Sequence, residues 1–214
     1  SDPRSDLARD LLMEWLSGEL CSSTDERARV ARISSLVLAG DCVQQAAWKQ
    51  VSETKSMESN PFAFLDPYID QLCETLDAVV VMPGMHDPCT VTLPQQPLLR
   101  TLLPRASQRT SLHLGTNPTW FSLNGRAILA TSGQNLDDLL KYMPDDAKRD
   151  SSAALDMAVA TLRWSHMAPT APDTLWCYPF KAADAFVIRA TPDVYVIGNQ
   201  AAFATTTFQA SPTH

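Results

Sequence analysis

Apolar residues along the chain change their period several times, and each change marks an element. In "SDLARDLLMEWLSGEL", Leu7, Leu11, Leu12, Trp15 and Leu16 recur at helical spacing, and Gly18 falls where such a helix should stop. "ISSLVLAGD" is a short β-branched run that halts at Gly40-Asp41, the pattern of a buried strand at its carboxyl end. The polar stretch from Val43 to Met57 reads as helix. After Asn60-Pro61, "FLDPYIDQLCETLDA" carries Leu65, Ile69, Leu72 and Leu76 on one helical face. "VVVMPG" is then a second buried strand. Strand, helix and strand make a βαβ-like unit, whose loops at the carboxyl ends of the strands are where ligands bind.

The second half alternates differently. "TWFSLNGRAILATSG" is a pair of β-rich runs joined by Asn124-Gly125, a strong hairpin signal, so the sheet here is expected to be antiparallel. "NLDDLLKYM", with Asn135 as its N-cap, and the stretch from Ser151 to His166 read as helices. "APTAPDTLWCYPF" reads as ordered loop, and "VYVIGN" and "FATTTF" as further strands. The chain has no internal repeat and no low-complexity tract.

Composition narrows the function classes. With 17 basic against 24 acidic residues the net charge is −7, which repels phosphate backbones and argues against autonomous DNA binding. The 5 cysteines, Cys21, Cys42, Cys73, Cys89 and Cys177, are scattered without a C-x-x-C pair, so reduced thiols in an intracellular compartment are expected. No apolar run approaches the roughly 18 residues that span a bilayer, and the first residues lack the apolar segment of a signal peptide. Glycine loops that cradle phosphate are absent: neither G-x-G-x-x-G nor a lysine-bearing P-loop occurs. Ser132-Gly133 follows a strand but is not G-x-S-x-G, and reads as a turn. Trp15, Trp48, Trp120, Trp164 and Trp176 read as core or interface anchors rather than base-stacking platforms.

The order of the strand-end loops carries the chemical signal. Gly40-Asp41, then "PGMHD", then His166 in "WSHMAP", then "GNQA" follow the order of metal-binding loops in calcineurin-like metallophosphoesterases. Such enzymes need carboxylates, an amide and imidazoles converging on metals roughly 3.5–4 Å apart. Here the content is defective. Gln44 stands where a second acid belongs. Met85 presents a thioether, a poor ligand for hard divalent ions, in place of an amide. Asn199 and Ala201 replace two histidines, and no D-x-H precedes Asp41. The expected pocket of Asp41, Met85, His86, Asp87, His166 and Asn199 is therefore vestigial, with no catalytic residue, no metal and no cofactor.

The longer strings "MPGMHDP", "TLPQQPL", "NGRAILATSGQNLDDLLKY", "LRWSHMAPTAPDTLWCYPF" and "VYVIGNQAAFAT" resemble the small, or B, subunits of eukaryotic DNA polymerase delta, from about Val30 to Phe208. The resemblance implies an α/β fold: a metallophosphoesterase-like two-sheet β-sandwich flanked by helices, in α/β/β/α layers. Residues 1–214 would be a partial phosphodiesterase-like domain, truncated at both ends, in which the family's oligonucleotide-binding-type barrel is not evident. It also implies a non-catalytic scaffold in DNA replication that binds the C-terminal domain of the polymerase delta catalytic subunit and a further accessory subunit. DNA would be met only indirectly, through the complex, and the location would be the nucleus. The resemblance further implies that eukaryotic members have eroded metal ligands that archaeal relatives retain. Obligate subunit interfaces are apolar and aromatic-rich, so an exposed patch is expected. Two alternatives stay open: a divergent metal-dependent phosphodiesterase or nuclease using Asp41, His86, Asp87 and His166, and direct binding of single-stranded DNA.

Overall fold

Where the apolar period changes, the backbone changes with it. A computed structural model describes residues 3–43, 60–144 and 152–209. Its mixed α/β chain forms two three-stranded sheets with helices between the strands. The helix expected between Val43 and Met57 lies outside the described residues, as does Gln44. Among the described residues no helix is long and apolar enough to cross a membrane.

The chain divides into two compact units. The first comprises Ser1–Leu38, Ala46–Val81 and Leu99–Leu114. It opens with α1 (Pro3–Leu16), and Gly18 follows with a φ of +84°, left-handed backbone that a glycine adopts without the penalty of a Cβ. Helix α2 (Thr24–Val30) is started by a reciprocal cap: the Ser23 hydroxyl accepts from Glu26 N at 3.1 Å, and the Glu26 carboxylate accepts from Ser22 N at 3.0 Å. Strand β1 (Ser35–Ala39), helix α3 (Asp66–Thr75) and strand β2 (Ala78–Met82) follow the expected order. Ile69 and Leu72 of α3 and Val79 and Val81 of β2 are fully buried, which satisfies the apolar face read from the sequence. Strand β3 (Leu112–Leu114) joins β2 in parallel, Val80 facing His113, in the sheet order β1-β2-β3. The loop before β3 is anchored by buried Asp66, whose carboxylate accepts from Arg105 N at 3.0 Å and Ala106 N at 2.9 Å.

The second unit comprises Ala39–Gln45, Met82–Leu98 and Gly115–His214. Strands β4 (Thr119–Leu123) and β5 (Arg126–Thr131) form the expected antiparallel hairpin. Asn124 and Gly125 turn it with φ of 49° and 77°, the paired left-handed residues that match strand twist. Strand β6 (Val194–Ile197) then pairs with β5 in parallel, so the sheet is mixed rather than wholly antiparallel. The connection that makes this possible is the long crossover through α4 (Gln134–Leu140) and α5 (Ala153–Arg163), since a parallel neighbour cannot be reached by a tight turn. Asn135 does not cap α4. Gly133 holds that position with a φ of +98°, and buried Asn135 instead donates from Nδ2 to Met167 O at 2.8 Å. "FATTTF" is not a strand: no sheet in the described residues includes it, and residues 203–207 stand exposed. Leu93, Leu129, Met167, Ala168, Phe186 and Ile188 form the core, with Tyr195 and Leu162 packed against it.

Candidate functional site

Every residue of the strand-end pocket belongs to the second unit. After β1 the chain turns through two successive left-handed residues, Gly40 at φ 84° and Asp41 at φ 54°. The Asp41 carboxylate then accepts from the main chain of the next loop, His86 N to Oδ1 at 2.8 Å, and its other oxygen lies 3.0 Å from His86 Nδ1. This approach explains Gly84: a Cβ there would lie 2.2 Å from Asp41 N and 2.4 Å from Asp41 Oδ1. Gly40 is as tightly held, since its Cβ would meet Gly84 Cα and Pro83 O at 2.8 Å.

Asp87 is buried at 6% exposure and turns inward. Its Oδ2 accepts from Gly84 N at 2.9 Å and its Oδ1 from Val43 N at 3.1 Å. Burial pushes its carboxyl above the usual range, and the Asp41 charge adds to this, while the main-chain N–H groups of Gly84, Cys42 and Val43 pull the other way. Burial raises the neighbouring thiols too: Cys42 far above its ordinary value, and Cys89 to about 11, with Asp87 and Asp41 reinforcing both. Neither is a nucleophilic thiolate near neutral pH.

The remaining members of the expected pocket diverge. Met85 is 64% exposed. Asn199 ends β6 at φ 55° and donates from Nδ2 to Ser132 O at 2.9 Å and Ala39 O at 3.2 Å. It ties the loops after β1, β5 and β6 together as a donor. His166 pairs with Asp184, Nε2 to Oδ2 at 2.9 Å, and its Nδ1 accepts from Ala168 N at 3.2 Å. Both ring nitrogens are thus engaged away from Asp41, and the accepting Nδ1 fixes the tautomer with hydrogen on Nε2. The structure gathers Asp41, His86 and Asp87, sets Asn199 on the adjoining main chain, and leaves His166 with Asp184. Among the described residues no group of three or more His, Cys, Asp or Glu is placed to hold a metal ion.

Behind these loops lies a buried amide network that the sequence did not announce. Gln95, 1% exposed, donates from Nε2 to Gly84 O at 3.0 Å and Thr90 O at 2.9 Å, and its Oε1 accepts from Asn117 Nδ2 at 2.7 Å. Asn117 accepts in turn from Ser132 N at 3.0 Å and donates to Ser132 Oγ at 2.6 Å. Ser132 is therefore a buried linker, in keeping with a turn. Its only signal in the sequence is polarity at a position that a strand end should bury.

The chain belongs to the B-subunit family of DNA polymerases alpha and epsilon, which it matches over residues 1–205. Within it, the chain is 38% identical to the DNA polymerase delta small subunit of Arabidopsis thaliana over 195 residues, 89% of this chain and 42% of that one. It is 33% identical to the DNA polymerase delta small subunit of Saccharomyces cerevisiae, covering 93% of this chain and 44% of that one. It is also 23% identical to the DNA polymerase II small subunit of Pyrococcus abyssi, covering 87% of this chain and 30% of that one. The chain spans less than half the length of these curated relatives.

Proposed function

We propose that this chain is the phosphodiesterase-like part of a non-catalytic accessory subunit of DNA polymerase delta, acting in the nucleus during DNA replication. In this reading it holds the C-terminal domain of the catalytic subunit and a further accessory subunit, and meets DNA only through the complex. The polymerase delta small subunits among its relatives support the assignment. The mixed α/β fold with two small sheets is compatible with a metallophosphoesterase ancestry.

One observation carries the non-catalytic part. Both oxygens of Asp87 and both of Asp41 are committed within the protein, to Gly84 N, Val43 N, His86 N and His86 Nδ1. A divalent cation needs several oxygens converging on one point; Asp87 is buried against main-chain donors, and soft or alkyl side chains at Met85 and Ala201 supply none. This donor set does not fit a two-metal centre.

Copurification tests the reading. A full-length subunit carrying this chain is expected to coelute with the C-terminal domain of a polymerase delta catalytic subunit at micromolar concentration. Failure to associate would overturn it. The rival reading, a divergent metal-dependent phosphodiesterase, draws on the juxtaposition of Asp41, His86 and Asp87. It would be carried by manganese-dependent hydrolysis of a phosphodiester that Asp41→Ala abolishes; the expected result is no hydrolysis by either protein.

A further inference from the structure

The second unit carries a surface unlike the closed pocket. Between Pro172 and Ala190 only Leu175, Cys177, Phe186 and Ile188 are sheltered, and Trp176, Tyr178 and Phe180 are each more than half exposed. The rings of Tyr178 and Phe180 pack at 4.8 Å between centroids, tilted by 57°. They wall a hollow of about 530 Å³ together with Pro172 and Pro179, with Lys181 at its edge. A second hollow of about 490 Å³ lies between Trp120 and Val187, with Arg189 at its edge. The hollows share one wall, Ala183-Asp184-Ala185. Small side chains on that wall let a crossing main chain approach closely.

The charges select the occupant. Asp184 is the one acid of the shared wall; its Oδ2 accepts from His166 Nε2 at 2.9 Å and its Oδ1 from Phe186 N at 2.8 Å, and its single negative charge stands against the two positive charges of Lys181 and Arg189. Among the described residues Lys181 and Arg189 form no ion pair. Although the chain carries −7 overall, salt confines the field of distant charges to about 8 Å, so these local cations decide what binds here. An aromatic hollow with a cation in its lining, repeated on the other side of a shared wall, suits an extended peptide with apolar or proline side chains flanking carboxylates.

The geometry points to this groove as the docking site for an acidic, extended segment of a companion subunit, an inference that rests on the accessory-subunit reading for the source of the segment. Proline and aromatic side chains enter the two hollows. Carboxylates meet Lys181 and Arg189.

The test uses a full-length subunit carrying this chain and a labelled synthetic peptide that repeats Pro, Phe and Glu, with a second peptide bearing Lys for Glu. Fluorescence anisotropy is expected to show salt-sensitive binding of the acidic peptide, weakened at least tenfold in the double variant Lys181→Glu, Arg189→Glu. The double variant should prefer the lysine peptide, a reversal that misfolding cannot produce. Lys181→Arg with Arg189→Lys should bind as the parent does. In the assembled polymerase complex the peptide should bind at least tenfold more weakly, because the groove is filled.

Equal binding of both peptides, indifference to the charge reversal, or undiminished binding in the complex would each overturn the inference. So would a single-stranded oligonucleotide, or a second copy of the same protein, binding through these residues in place of the peptide. Failure of copurification with the catalytic subunit would remove the accessory-subunit reading whatever the peptide does, so the two failures are distinguishable.

Discussion

The strand-end pocket and the aromatic groove belong to the same unit and treat their polar groups in opposite ways. In the pocket every carboxylate oxygen has an internal partner, and the loops approach until a single Cβ at Gly84 would collide with Asp41. In the groove Asp184 alone is paired, while Lys181, Arg189 and three aromatic rings face solvent. Groups satisfied inside the protein stabilise it and have less to offer a ligand. Groups left unsatisfied at the surface contribute little to folding and are available for binding. On the proposed reading the pocket serves as architecture, and recognition falls to the groove on the same unit.

If that contrast is right, pocket substitutions should cost stability and groove substitutions should not. Gly84→Ala is expected to have the largest effect, because the new Cβ would meet main chain and carboxylate at 2.2 and 2.4 Å and neither can simply rotate away. Overpacking of this kind costs on the order of 3 kcal/mol. In urea denaturation the midpoint should fall with the slope unchanged. Gln95→Leu comes next. It removes the amide that serves Gly84 O, Thr90 O and Asn117 Nδ2 in a buried setting, and leaves those groups without that partner at about 2 kcal/mol. Stability losses below about 0.5 kcal/mol for both variants would show that the pocket is not the rigid element described.

The sequence made one side of this comparison more legible than the other. Strands, the Asn124-Gly125 hairpin and α3 follow from periodicity and turn chemistry, which are local. Gly40-Asp41 and "PGMHD" point to the pocket through the order of the strand-end loops. What a lone sequence could not show was pairing at long range. Gln95, Asn117 and Ser132 look like ordinary loop residues until folding brings them within hydrogen-bond distance across 15 to 22 positions. His166 fits a motif by order, but its partner is decided by Asp184, 18 residues away. "FATTTF" has strand propensity, yet a strand exists only beside a partner, and none pairs with it among the described residues. Asn135 reads as a cap because polarity at a helix start usually means one; burial against Met167 gives it another task.

A smaller effect separates the two regions by pH. Burial raises the Asp87 carboxyl above its unfolded value, so the protonated form is favoured in the folded state. The unfolded chain releases this proton first, and stability contributed by Asp87 is full at low pH and lost as pH rises from about 4 through the raised folded value. Asp87→Asn removes this titration. Unfolding free energies measured from pH 4 to 7 should therefore decline more in the parent than in Asp87→Asn, by less than about 1.4 kcal/mol for each unit of pKa displacement. A parent that gains stability over this window relative to the variant would mean that the main-chain donors outweigh burial.

The smallest expected change is the one that most sharpens the comparison. Lys181 and Arg189 stand in exposed positions, and the ion pairs of the described residues do not include them. Reversing both to glutamate removes no hydrogen bond found among the described residues, and changes the net charge from −7 to −11, since each substitution replaces one positive charge by one negative. Surface substitutions of this kind stay within about 0.5 kcal/mol, so the urea midpoint should be unchanged within error. The same double variant is expected to lose at least tenfold in affinity for the acidic peptide. A stability loss of about 2 kcal/mol or more would instead assign these cations a structural task, and the division between a closed pocket and an open groove would fail at the groove.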